Sequence, residues 1–175
     1  LLHDIGKLAV PEHILSKPGP LTQEEFQKIR IHPQVGAEII SAVPFPYPVA
    51  PLILSHHERW DGRGYPQGLR GEDIPLGARI LTVVDYFDAL TSDRPYHRAM
   101  DHDAALLLLE QESGKALDPA VAKLFFEHLP ALAAEADALE AAGAPSYLGF
   151  HLDRVNSLLA NDRARRVLLE AADVH

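Results

Sequence analysis

Apolar residues recur at spacings of three and four from one end of this sequence to the other, and nowhere do they alternate with polar ones over a sustained run. That periodicity fits helices with one buried face and leaves no segment patterned as a half-buried strand. The expectation is an all-α chain. One stretch breaks the pattern. Residues 61–77 carry Gly62, Gly64, Gly68, Gly71 and Gly77 with Pro66 and Pro75, a density that no regular element tolerates. A loop of that length inside a compact domain tends to be functional.

Helices are expected on either side of that loop. Thr22 and Glu25 have the spacing of a capping box, opening a helix to about Ile31. Pro33 suits the first turn of the next helix, through Val35, Ile39 and Ile40, with His32 at the junction. A short helix from about Pro48 to Glu58 precedes the loop, and a long one from about Leu76 to Ser92 follows it. Further helices are predicted from about Asp101 to Ser113, from Pro119 to about His128, over 131–142, and from about Leu148 to Ala172. Leu1 to Lys7 read as the last turn of a helix closed by Gly6, so the chain is expected to begin inside a domain. Residues 8–20, with Pro11, Pro18, Gly19 and Pro20, read as a loop holding at most a short turn near Pro11 to Leu15.

Composition narrows the chemistry. There is no cysteine, so a metal must be held by histidine, carboxylate or water. A net charge of -9 argues against binding a nucleic-acid polymer or an anionic lipid surface, both of which need a basic face. A phosphate ligand would need local cations, and Lys7, Arg63, Arg94 and Arg98 fall among the motifs described below. No apolar run approaches the roughly 20 residues that span a bilayer, and no secretory leader pattern opens the chain. A cytoplasmic location is expected. Seven of the ten histidines lie in the first 102 residues, which is where ligands should be sought.

Four segments offer them: His3 with Asp4, His32, His56 with His57, and Asp85. Each is weak alone, because a lone histidine is usually a surface or hydrogen-bonded core residue. Together they form a nitrogen and oxygen ligand set, in which the Asp4 carboxylate has the valence to bridge two cations. Adjacent residues on a helix point about 100° apart, so His56 and His57 are expected to serve different metals, or one metal and one ligand contact. Asp85 sits in the apolar run of Ile80, Leu81, Val83 and Val84, where an unpaired carboxylate is costly. A metal would remove that cost, and so would an ion pair with Arg79 or Arg94. Asp88 is expected to cap or to pair with Arg94. His13, His102, His128, His151 and His175 carry no pattern.

The strings HDIGK at 3–7, HP at 32–33, HHERWDGRGYP at 56–66 and DYFDALTSDRPYHRAM at 85–100 resemble, in order and spacing, the HD-GYP subgroup of the HD phosphohydrolase superfamily. The resemblance covers about residues 1–129. It implies an all-α HD-domain helical bundle with a long glycine-rich GYP loop and two or three divalent metal ions, commonly iron or manganese. The activity it implies is hydrolysis of cyclic di-GMP to the linear dinucleotide pGpG and on to GMP. By position, His3, Asp4, His32, His56, His57 and Asp85 match the family's metal ligands, with Asp4 and Lys7 in the catalytic role. Lys7, Gly64, Tyr65, Arg94 and Arg98 match or lie beside ligand-binding positions. Tyr65 has a second reading, in which its ring only seats the loop on the core. Lys7 and Arg94 have one as solvated surface cations.

The family's preceding helix, with a further histidine ligand, falls before residue 1, so weak metal retention and little activity are expected of this stretch alone. Residues 130–175 form a helical extension or linker that would pack on the core or belong to an adjoining element. The partners the resemblance implies are cyclic di-GMP, 3'3'-cyclic GMP-AMP as a second substrate, diguanylate cyclase proteins, an upstream sensory or receiver domain, and a second copy in a homodimer. Two other functional readings stand beside the hydrolase: a catalytically silent module that binds nucleotide or protein, which the intact ligand set disfavours, and a hydrolase of another phosphate ester, which the GYP loop disfavours.

Overall fold

A computed structural model describes residues 2–17, 19–92 and 99–141. Over them the chain is all-α. It runs through a 3-10 helix at Leu2–Ala9, then α1 (Glu12–Leu15), α2 (Gln23–Ile29), α3 (His32–Ser41), α4 (Val49–Ser55), a short 3-10 turn at Gly71–Asp73, α5 (Leu76–Thr91), α6 (His102–Glu112) and α7 (Pro119–Ala141). The described residues contain no strand, only an isolated bridge between Ser113 and Leu117. Among the described residues, no helix is long and apolar enough to cross a membrane.

The chain divides into two compact units, one spanning Leu2–Asp118 and the other beginning at Pro119. In the first, the opening 3-10 helix packs on α3, α3 on α4, and α5 on both α4 and α6. Its core is aliphatic: Ile14, Ile40, Ile53, Ile74, Ile80, Val83, Phe87 and Leu109 are all buried. Each such side chain contributes roughly 1.5–3 kcal/mol by leaving water. The alternation of these residues with small ones matters as much. Gly6 lies so close to α3 that a Cβ on it would overlap the His32 carbonyl oxygen and stand 2.6 Å from the Gly36 nitrogen.

Most of the predicted boundaries hold to within a few residues. The capping box is complete: Thr22 Oγ1 accepts from the Glu25 N–H, and the Glu25 carboxylate accepts from the Thr22 N–H at 2.7 Å. Three expectations are corrected. Leu2–Ala9 is a 3-10 helix rather than a closing α-turn, with Gly6 inside it at the close approach to α3; the Val10 N–H bonds the Lys7 carbonyl, and Pro11 prevents continuation. The helix before the loop stops at Ser55, short of Glu58. And α7 passes through Pro130, where two helices were expected. Proline removes one i to i−4 bond, but the alanine-rich sequence beyond it favours helix strongly enough to continue. The helix expected over residues 148–172 lies outside the described residues.

Candidate metal centre

The first ligand pair is placed by 3-10 geometry. With three residues per turn, positions i and i+3 eclipse, so Asp4 and Lys7 stand one above the other and Lys7 Nζ donates to Asp4 Oδ2 at 2.6 Å. His3, 6% exposed, turns inward. Its Nε2 lies 3.5 Å from Asp4 Oδ2 and 3.6 Å from Oδ1 of Asp85, which α5 delivers from across the bundle. Asp4 faces two ways: Oδ1 is 3.5 Å from His32 Nε2 while Oδ2 faces His3.

The histidines are set by their own backbones. His32 opens α3 and donates its Nδ1–H to the Ile29 carbonyl at 2.7 Å; His56, the residue after α4, donates its Nδ1–H to the Ile53 carbonyl at 2.6 Å. Both rings are buried. With the proton fixed on Nδ1, each Nε2 carries a lone pair, and the two Nε2 atoms face each other at 3.3 Å. Two acceptors at that separation repel. A cation between them removes the conflict, and two nitrogens on one tetrahedral ion at bond lengths near 2 Å sit about 3.3 Å apart. The donor set therefore fits a divalent metal.

Two ligand groups emerge. In one, His32, His56 and His57 offer nitrogens within 4.8 Å of one another; in the other, His3, Asp4 and His56 do so. They share His56, and Asp4 touches both. His56 and His57 therefore meet in one group, against the expectation from a 100° helical offset. His56 caps α4 with helical backbone angles, φ -69° and ψ -14°. The His56 and His57 ring centroids are 4.1 Å apart.

Electrostatics keep the set ready for a cation. Burial, reinforced by the neighbouring histidines, pushes His56 down to about 4 and His57 down to about 3. Burial lowers His32 as well. All three are neutral imidazoles near pH 7, the form that binds metal. Burial works to raise the carboxyls of Asp4 and Asp85, but Lys7 and His3 outweigh it at Asp4, and His3 with His57 and His56 outweighs it at Asp85, so both stay below the usual carboxylate range.

The GYP loop closes over this cluster. Tyr65 stacks on His57, with ring centroids 4.9 Å apart and planes 23° apart, and its N–H bonds the His57 carbonyl at 3.2 Å. Burial raises the Tyr65 hydroxyl to about 12, so it is a neutral donor. Tyr65–Pro66 is a cis peptide. Gly64 is needed for closure, since a Cβ there would lie 2.5 Å from Glu58 Cα. A cavity of about 410 Å³ opens beside the loop, lined by His57, Tyr65, Asp85, Arg30, Arg59 and Phe26 among others.

The sequence reading missed the residue that holds the loop together. Glu58 is 1% exposed, and its carboxylate accepts three backbone N–H groups, from Gln67 at 2.6 Å and from Gly68 and Leu69 at 3.1 Å each. Its signal was indirect: a loop with no regular structure must satisfy its N–H groups somewhere, and Glu58 is the buried acid next to it. The alternative ion pair between Asp85 and Arg79 is not realised, because Arg79 donates to Asp118 at 2.8 Å. Asp88 accepts from Ser92 Oγ at 3.1 Å. Arg94 and Arg98 lie outside the described residues, and with them the pairings proposed for Arg94.

Comparison with known proteins identifies the family. The HD domain family matches residues 1–121. Over 120 residues the chain is 50% identical to the cyclic di-GMP phosphodiesterase response regulator of Xanthomonas campestris, covering 67% of this chain and 32% of that protein. It is 44% identical over 128 residues to a cyclic di-GMP phosphodiesterase of Thermotoga maritima, covering 72% and 35%. It is 43% identical over 119 residues to a 3'3'-cGAMP-specific phosphodiesterase of Vibrio cholerae, covering 68% and 26%. The chain thus spans about a third of the length of the curated relatives it matches. The crystal structure of a cyclic GMP-AMP specific phosphodiesterase of Vibrio cholerae superposes with a TM-score of 0.52 at 20% identity, covering 95% of this chain and 40% of that one, and supports the fold. The histidine and aspartate cluster, the loop that closes on it and the match over residues 1–121 lead to one assignment: the chain belongs to the HD-domain family, on the HD-GYP branch that its loop marks.

Proposed function

We propose that this chain is the core of a metal-dependent phosphodiesterase that hydrolyses cyclic di-GMP to pGpG and on to GMP, in the cytoplasm of a bacterium. The observation that carries the reading is the pair of ligand groups meeting at His56 and Asp4 beneath the Tyr65 loop. The relatives named as cyclic di-GMP phosphodiesterases support the choice of substrate.

His3, Asp4, His32, His56, His57 and Asp85 would hold two or three divalent ions, with iron or manganese suited to such nitrogen and oxygen donors. When bound, the metal supplies Lewis acidity toward a phosphodiester and acidifies an attacking water. The protein's own part is positional and electrostatic. Asp4 presents an oxygen to each ligand group, and Lys7 keeps that carboxylate charged and aimed. Only one of the three Lys7 donors is spent on Asp4 in this way, which leaves others for a phosphoryl oxygen. Asp85 braces His3, and the two backbone carbonyls on His32 and His56 fix which nitrogen faces the centre. Gly64 lets the loop fold back on residues 57–59, so that Tyr65 forms a wall of the cavity. Arg94 and Arg98 are proposed as further phosphate contacts.

The test is direct. The whole protein, loaded anaerobically with iron or manganese, is incubated with cyclic di-GMP, pGpG and 3'3'-cyclic GMP-AMP, and products are separated by chromatography. Turnover of cyclic di-GMP that stops on chelation supports the reading. Metal-loaded protein that turns over none of the three refutes it and leaves a binding module.

A further inference from the structure

Arg30 ends α2, one helical turn after Phe26 and on the same face. Its guanidinium carbon lies 4.7 Å from the centroid of the Tyr65 ring and 6.0 Å from that of Phe26. The Phe26 and Tyr65 rings meet edge to face at 6.3 Å, and Tyr65 in turn stacks on His57. An aromatic wall with one planar cation therefore runs from the histidine cluster to the mouth of the cavity, and all four residues line it.

Two features of this wall are not explained by packing. Phe26 is 44% exposed, so the core does not use it. Arg30 is half-buried, yet among the described residues its side chain makes no ion pair or hydrogen bond, only the two ring contacts. Five N–H donors in a fixed plane are left unspent. The nearby Arg59 is committed, with two bonds to Asp61 at 3.1 and 2.9 Å and Glu112 at 3.6 Å. Arg63 is exposed on the loop.

We propose that Phe26, Arg30 and Tyr65 form a purine-base subsite that selects guanine. A base has a flat face for the aromatic rings. Guanine presents two acceptors, O6 and N7, that match the guanidinium fork, whereas adenine places an amino donor where O6 would be. The subsite rests on the cyclic-dinucleotide reading of the metal centre and adds what that reading lacks, a group that distinguishes the base.

The test is equilibrium binding, by calorimetry, of hydrolysis-resistant phosphorothioate analogues of cyclic di-GMP and cyclic di-AMP, and of ribose 5-phosphate, to the metal-loaded whole protein and to Arg30→Ala, Arg30→Lys and Phe26→Leu, with hydrolysis of cyclic di-GMP itself assayed separately. Melting curves and bound metal establish that each variant is folded. The cyclic di-GMP analogue should bind wild type more tightly than the cyclic di-AMP analogue. In both Arg30 variants its affinity should fall about ten-fold or more, because lysine lacks the fork, and the preference over cyclic di-AMP should collapse. Ribose 5-phosphate should shift less than two-fold, and Phe26→Leu should weaken both dinucleotides. Unchanged cyclic di-GMP affinity in Arg30→Ala, rescue by Arg30→Lys, or an equal loss for ribose 5-phosphate would each overturn the subsite. Arg30-dependent binding without hydrolysis would sink the hydrolase reading alone, and hydrolysis indifferent to Arg30 would sink the subsite alone.

Discussion

The Tyr65 ring lies against the His57 ring at 4.9 Å, and the backbone beneath them is joined by the bond from the Tyr65 N–H to the His57 carbonyl. The GYP loop is therefore built directly onto a proposed metal ligand. Disturbing one should disturb the other.

Glu58→Gln should destabilise the protein by about 1–3 kcal/mol, since the amide keeps an oxygen for the Gln67 and Gly68 N–H groups but turns an NH₂ toward that of Leu69. Glu58→Ala should cost more. Urea denaturation orders the two, and loss of metal in parallel would confirm that the loop supports the centre.

Gly6→Ala drives a Cβ into the His32 carbonyl, against backbone that has no room to yield. An overpacking cost of roughly 1–3 kcal/mol is expected, together with metal loss, because the 3-10 helix carrying His3 and Asp4 must move away from His32. Melting temperature and metal content by mass spectrometry report both.

The metal-free protein should lose stability in acid, and the sign follows from the protons. His56 and His57 are held neutral down to about 4 and about 3 in the fold, whereas the unfolded chain takes up its protons near 6.5. The unfolded state thus binds more protons as pH falls from about 6.5 to about 3, and folding stability declines across that window. Asp4 and Asp85, held below the usual carboxylate range, extend the decline at its acid end. Chelated protein titrated in urea at several pH values should show this slope. A flat profile between pH 7 and 4 would contradict the buried, neutral cluster.

Asp4→Ala should strip the centre, as it removes the one carboxylate that faces both His3 and His32. Bound metal should fall at least ten-fold in affinity, which is the scale of losing a ligand or its support. Lys7→Met, which leaves Asp4 in place without its partner, should retain metal better.

Local chemistry was readable in the residues. The Thr22 and Glu25 box and the ends of α5 were expected from spacing and capping, and the family strings pointed to the segments whose His3, Asp4, His32, His56 and His57 lie together. What escaped depended on three dimensions. Glu58 finds its partners nine to eleven positions away, a distance at which no local pattern operates. The closeness of the His56 and His57 rings, with centroids 4.1 Å apart, was not visible in their adjacency alone. Pro130 failed to break α7 because a proline's cost is finite and its surroundings favour helix. Arg30 meets Tyr65, 35 positions away, only through the fold, and no local pattern joins the two.

These histidines and aspartates are proposed to hold metal in order to cleave a cyclic dinucleotide. Single-turnover assay of cyclic di-GMP by the whole protein, before and after chelation and again after adding back iron or manganese, tests this most directly. Cleavage should be lost with the metal, return with it, and be absent in Asp4→Ala. Cleavage that survives complete metal removal, or a metal-loaded protein that leaves cyclic di-GMP intact, would contradict the proposal.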